Sequence, residues 1–290
     1  MNPDELIKKI ENLSIWKKGG QRAPHKPLLL LLALGQLQSK KSNMFLYEDI
    51  KPKLTQLLID FGPIRKSYHP EEPFVRLTRD GIWQLSKDVN KSDPSNKVLL
   101  QNEIAGGFTS EVVALLHTDP SLLSKIAQII LEQHFPDTIH EDILAAVGLD
   151  LENNSKRKRD PKFRERILRA YGYCCAICGF NVRLSHTLVG VEAAHIKWHQ
   201  AGGPDSENNG IALCSLHHKL FDRGVFTISD RRQMIVSQEA HGSHGFEEWL
   251  MKYHGEIIRE PIETYYNPDS VYLGWHIREV FRGPERYVIN

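Results

Sequence analysis

Four residues of the sequence have the types and spacing of metal ligands. Cys175 and Cys178 form a C-x-x-C pair, and thirty-five intervening residues later Cys214 and His217 form a C-x-x-H pair. Two close pairs of thiolate and imidazole donors suit the tetrahedral coordination of a structural zinc ion. Such an ion contributes on the order of 10 kcal/mol to the folding of a small module. Cys174 offers a C-x-x-x-C alternative, but the shorter loop makes the better knuckle. Interleaved with the ligands is a second polar set that zinc does not require: His195, then Asn209 fourteen residues on, then His218 nine further. Histidine is the side chain poised to take a proton from water near neutral pH. The plain alternative makes all three structural polar residues of a zinc module, and their joint spacing argues against it.

Elements to position these groups can be read around them. VEAAHI is an apolar strand ending on His195, GGPDSEN is a loop leading to Asn209, and Cys214 and His217 open a helix that carries His218. A hairpin holds Cys175 and Cys178, so the metal would clamp hairpin to helix. In EAAHI, NNGIALC and LHHKLFD, framed by the cysteine pairs, the chain resembles the HNH endonucleases, also called ββα-metal nucleases, over about residues 160–230. The resemblance implies phosphodiester hydrolysis, with His195 as general base, Asn209 orienting the base and touching a catalytic magnesium or manganese ion, and His218 as a ligand of that ion. Many of these enzymes place a metal-binding Asp or His directly before the base; here that position is Ala194. Glu192 and Asp222 are candidate helpers.

The expected fold class is α+β, in two domains. Residues 1–150 form a mixed helical, winged-helix-like domain, 151–160 a basic linker, and 161–290 the zinc-stapled nuclease. Residues 149–160 (LDLENNSKRKRD) are polar and end in a charge run. From Lys156 to Arg169 there are eight basic and two acidic residues, which reads either as a solvated face or as a track for a phosphate backbone. The first domain opens with a short helix over 3–12 and a loop containing Lys17, Lys18, Arg22, His25 and Lys26. A core helix over Leu28–Leu37 follows, then a strand and a helix ending near Gly62. PFVRLTRDGIWQLS alternates as two strands joined at Thr78–Gly81, with Asp80-Gly81 as the hairpin signal. Three helices are expected over 110–117, 121–134 and 140–147. In the tail, Trp275 and Phe281 should pack back on the metal motif.

RAPHKPLLLLLAL, SYHPEEPF and RLTRDGIWQL together resemble the sulfur-binding domain of phosphorothioate-dependent (type IV, McrA-like) restriction endonucleases, over roughly residues 1–150. That family pairs such a domain with an HNH nuclease. The resemblance implies double-stranded, phosphorothioated DNA as partner. Sulfur is larger, more polarisable and a poorer hydrogen-bond acceptor than oxygen, so an apolar concavity distinguishes it. Tyr68, His69, Pro70 and Pro73 would form that pocket, and Arg22, His25 and Lys26 would grip the flanking phosphates.

Composition fits a soluble protein acting in a reducing cytoplasm. All four cysteines lie in the metal motif, 41% of residues are hydrophobic and 25% charged, and the net charge is +1. Any contact with DNA must therefore come from local patches. The apolar run Leu28–Leu34 is too short to span a bilayer. One active site cuts one strand, so a double-strand break needs two chains, as in a homodimer, or two visits. Two other readings stand beside the leading one: an HNH nuclease reading another mark such as methylcytosine, and a non-catalytic zinc-containing DNA-binding regulator.

Overall fold

The computed structural model describes residues 1–15, 20–40, 43–151 and 161–287. The chain divides into two compact units, Met1–Ser155 and Lys156–Asn290. Lys17 and Lys18 of the basic loop, and most of the expected linker, lie outside the described residues.

The first unit starts with α1 (Pro3–Glu11), whose N-terminus has every local preference satisfied. Asn2 and Glu5 form a reciprocal capping box, Pro3 opens the helix, and Lys8 and Lys9 sit in the last turn. α2 (His25–Lys40) is apolar on all sides through Leu28–Leu34, and a helix of that kind has to be surrounded. It is: every residue from Leu28 to Leu34 is buried. β1 (Met44–Leu46) and α3 (Tyr47–Phe61) follow.

The next segment departs from expectation. Residues 71–76 form a helix, α4 (Glu71–Arg76), and not the first strand of a hairpin. Pro70 precedes it, Glu71 and Glu72 occupy its first turn, and Arg76 pairs with Glu72 one turn back. Leu77–Asp80 is a tighter helical turn closed by Gly81 at φ 69°. The alternation was ambiguous because Phe74, Val75 and Leu77, all buried, also share one side of a helix. β2 (Trp83–Leu85) therefore pairs elsewhere. After α5 (Asn96–Gln101) comes β3 (Ala105–Phe108), the centre of an antiparallel sheet in the order β1-β3-β2. Helices α6 (Ser110–Thr118), α7 (Pro120–His134) and α8 (His140–Val147) complete the unit, and α1 and α2 pack on α7.

The second unit begins with α9 (Pro161–Ala170) and a small exposed hairpin, β4 (Val182–Leu184) and β5 (Thr187–Val189). β6 (Val191–His195) pairs antiparallel with β7 (Gly210–Cys214) from Val191 opposite Cys214 to His195 opposite Gly210. α10 (Ser215–Asp222) leaves directly from β7, so β6, β7 and α10 make the ββα element. α9 lies against both strands. Gly210 is what permits this approach, since a Cβ there would meet Ile167 Cδ1 at 2.2 Å. β8 (Phe226–Ile228) and β9 (Met234–Val236) form a second hairpin, and α11 (His244–Trp249) and α12 (Ser270–Glu279) close the unit. Trp275 and Phe281 are buried, and Trp275 meets Trp198 edge-on at 6.0 Å. His276 stacks on Phe221 of α10 with ring centres 3.7 Å apart. The fold class is α+β. Among the described residues no helix is long and apolar enough to cross a membrane.

Candidate functional site

The cysteine knuckle folds back so that the Cys175 carbonyl accepts the Gly179 N–H, and the Ala176 N–H is donated to the Ala212 carbonyl of β7. This brings Cys175 and Cys178 to Cys214 and His217, with one ligand atom from each residue within 4.8 Å of all the others. Cys178 Sγ lies 4.0 Å from Cys214 Sγ, and His217 Nδ1 lies 3.7 Å from Cys175 Sγ and 3.1 Å from Cys214 Sγ. Tetrahedral bonds of about 2.3 Å to sulfur and about 2.0 Å to nitrogen require separations of about 3.5–3.8 Å, and the observed 3.1–4.0 Å brackets that range, so small side-chain shifts would close the set on an ion. His217 Nε2 bonds the Trp249 carbonyl at 2.8 Å, which turns Nδ1 toward the thiols. Thiols this close set one another's protons: Cys178 and then Cys214 pull the Cys175 thiol down, while Cys175 and then Cys178 push Cys214 up. Cys174 stands outside the cluster, with its sulfur against the Gly172 carbonyl and the Asn181 amide.

His195, at the end of β6, is held on two sides. Its ring stacks on Phe163 of α9 at 4.1 Å and 15°, and its Nε2 lies 2.7 Å from Asp205 Oδ1. Asp205 was invisible in the sequence, because no spacing rule links a loop carboxylate to a histidine ten residues earlier. His218, 2% exposed, sits between two carboxylates: Nδ1 is 2.7 Å from Glu192 Oε2 and Nε2 is 3.2 Å from Asp222 Oδ2. The Trp198 indole N–H fixes the other oxygen of Asp222, and the Ser215 hydroxyl the other oxygen of Glu192.

Asn209 does not stand where a metal contact was expected. It is completely buried, and its amide is committed to backbone. Oδ1 accepts the Lys197 N–H at 2.8 Å, and Nδ2 donates to the carbonyls of Lys197 at 3.0 Å and Pro204 at 2.9 Å. Asn209 thus cross-braces the loop between the strands. Gly203 leaves room for it, since a Cβ there would lie 2.9 Å from Asn209 Nδ2 and 1.8 Å from the Lys197 carbonyl oxygen.

In the first unit, His25 begins α2 and lies near His69, Arg65 and Glu71. Burial, then the charges of His69 and Arg65, bring its pKa down to about 4. His69 is exposed, with Nδ1 3.0 Å from Glu71 Oε1 and Nε2 2.9 Å from the Ser67 hydroxyl. Behind it, the buried Glu71 carboxylate accepts the Asn96 amide at 2.8 Å, and Asn96 accepts the Tyr47 hydroxyl. Tyr68 and Arg22 are half-buried. Three expected DNA-binding residues are placed otherwise. Lys26, with its side chain 12% exposed, pairs with Asp80 at 2.5 Å and donates to the Ser14 carbonyl at 2.7 Å, so its charge is engaged in anchoring the chain after α1. Pro70 and Pro73 are buried at the start of α4, so neither ring forms an exposed wall.

Residues 3–152 match the family of ScoMcrA-like DNA sulfur-binding domains, and residues 175–229 match an HNH endonuclease family. No curated protein matches the chain. Among solved structures, the sulfur-binding domain of SprMcrA complexed with phosphorothioated DNA is 19% identical at a TM-score of 0.44, covering 51% of this chain and 95% of that one. The corresponding ScoMcrA domain complex is 18% identical at 0.42, covering 49% and 94%. The type IV phosphorothioation-dependent restriction endonuclease ScoMcrA is 19% identical at 0.41, and the alignment covers 57% of this chain but 38% of that one.

Proposed function

The chain belongs to the family of ScoMcrA-like DNA sulfur-binding domains and carries an HNH endonuclease domain, and from that premise we propose that it cuts DNA in response to a phosphorothioate. One observation carries this reading. The half of the chain outside the sulfur-binding match contains a ββα element that presents His195 and His218 with carboxylate partners beside a Cys3His cluster.

His195 is the general base. A water O–H bond breaks, its proton passes to the imidazole, and the hydroxide forms a P–O bond as the bond to the leaving 3′ oxygen breaks. That oxygen takes a proton from solvent. Phe163 stacking holds the imidazole plane through the step. His218 and Glu192 would hold one divalent cation, magnesium or manganese, while Asp222, steadied by Trp198, bonds the other imidazole nitrogen. When bound, that ion supplies positive charge against the pentavalent phosphorus centre and the leaving oxygen. The Cys3His cluster would hold zinc in a purely structural role. Asn209 acts by bracing the loop.

In the sulfur-binding half, the Tyr68 ring with Arg22, His25 and His69 would surround the modified phosphate. Contacts of this kind give affinity without base identity. The test is cleavage of matched phosphorothioated and unmodified duplexes with magnesium or manganese. Selective cutting of the modified duplex is expected, and equal cutting of both overturns the proposal.

A further inference from the structure

We propose that Asp205 is the positioning residue for the general base, an inference that rests on His195 being that base. Asp205 Oδ1 lies 2.7 Å from His195 Nε2, and the two side chains are only 35% and 18% exposed. An imidazole that donates Nε2–H to a carboxylate keeps its basic lone pair on Nδ1. The contact therefore selects the tautomer as well as the ring orientation. The carboxylate also stabilises the imidazolium that forms once the proton has been taken from water.

A mobile surface ion pair would do little of this, because its partners wander. Here the imidazole ring and the backbone that carries the carboxylate are both held. Phe163 stacking fixes the imidazole plane. The Asp205 backbone is fixed from two directions: Arg166 donates to its carbonyl at 2.7 Å while its Nε pairs with Glu207 at 2.7 Å, and Asn209 donates to the carbonyl of the preceding Pro204 at 2.9 Å. Asn209 therefore acts on the chemistry at one remove, by locking the loop that carries the orienting carboxylate. His199 also faces His195, with ring centres 5.9 Å apart.

The experiment uses the full chain and a phosphorothioated duplex with manganese, comparing single-turnover rates, duplex binding and the pH–rate profile. Asp205→Ala should slow cleavage by about 10- to 100-fold with duplex binding unchanged. The acid limb should move to lower pH, because the base loses the anion that favours its charged form. Asp205→Glu should restore part of the rate. In a His195→Ala background, adding Asp205→Ala should cost nothing further. A wild-type rate for Asp205→Ala, or a loss with an unmoved acid limb and no rescue by glutamate, overturns the inference. Wild-type cutting by His195→Ala alone would instead remove the base assignment itself, and the two failures are told apart by that single variant.

Discussion

Asn209→Ala separates two roles that sequence motifs confuse, a metal ligand and a brace. Asn209 is fully buried and makes three hydrogen bonds to backbone, at 2.8, 3.0 and 2.9 Å. Truncation leaves the Lys197 N–H and the carbonyls of Lys197 and Pro204 without that partner. Each such loss costs on the order of 1–1.5 kcal/mol, and a water entering the vacated space would recover part of it. The expected destabilisation is about 3 kcal/mol, concentrated in residues 197–209. Hydrogen exchange at the Lys197 amide, read beside the urea midpoint, is the assay; exchange should accelerate by roughly 100-fold. Asn209→Asp sharpens the test. It keeps the acceptor for Lys197 but turns a second oxygen on two carbonyl oxygens, so it should be no better than alanine. For a metal ligand, aspartate should bind manganese at least as well as asparagine. A stable, well-protected Asn209→Asp protein, or an Asn209→Ala protein with unchanged exchange and lost manganese affinity, would refute the brace.

Other outcomes follow from the same geometry. Asp80→Ala leaves the part-buried Lys26 ammonium with the Ser14 carbonyl but no counter-charge and removes the acceptor of the Ser14 N–H, so the first unit should lose about 3 kcal/mol by denaturant titration. Lys26→Ala should weaken DNA binding only as far as it destabilises the unit, leaving the salt dependence of binding unaltered. Chelation of the metal at the Cys3His cluster should unfold Lys156–Asn290 while the helical signal of Met1–Ser155 survives, as read by circular dichroism and limited proteolysis. His25 has a folded pKa of about 4 against an ordinary 6.5, so folding favours its neutral form. That stability is complete above pH 6.5 and is lost as pH falls toward 4, amounting to at most about 2 kcal/mol at pH 5. His25→Gln should flatten the fall in denaturation midpoint between pH 7 and pH 5.

Local signals were legible where local physics decides the outcome. The helices Pro3–Glu11 and Pro120–His134 have a capping side chain and a proline at their starts, His140–Val147 has Glu141 and Asp142 in its first turn and Gly148 at its end, and each formed close to its expected span. VEAAHI and NNGIALC became paired strands because one needs the other to bury its face. The segment Glu71–Asp80 was misread because its alternation satisfies a strand and a helix equally, and the prolines and glutamates at its start settle the matter. The Lys26–Asp80 pair was not legible for a different reason: a positive charge in a basic loop says nothing of an aspartate 54 residues away. Asp205 and Phe163 escaped notice because the closing of a loop and the packing of a helix bring them to His195, and neither leaves a periodic trace.

The contact of α9 with β7 has a consequence for cutting. One face of α9 carries Phe163 and Ile167, pressed on β7 through the bare backbone of Gly210, which lies opposite His195; the other carries Lys162, Glu165, Arg166 and Arg169 around an open surface hollow. The helix is thus a rigid spacer. Phe163 stacks on the His195 ring, so the seat of the helix sets the plane of that ring. Gly210→Ala should wedge the spacer off its seat and tilt the ring stacked on Phe163. The protein would then still grasp its target while missing the bond it is built to break.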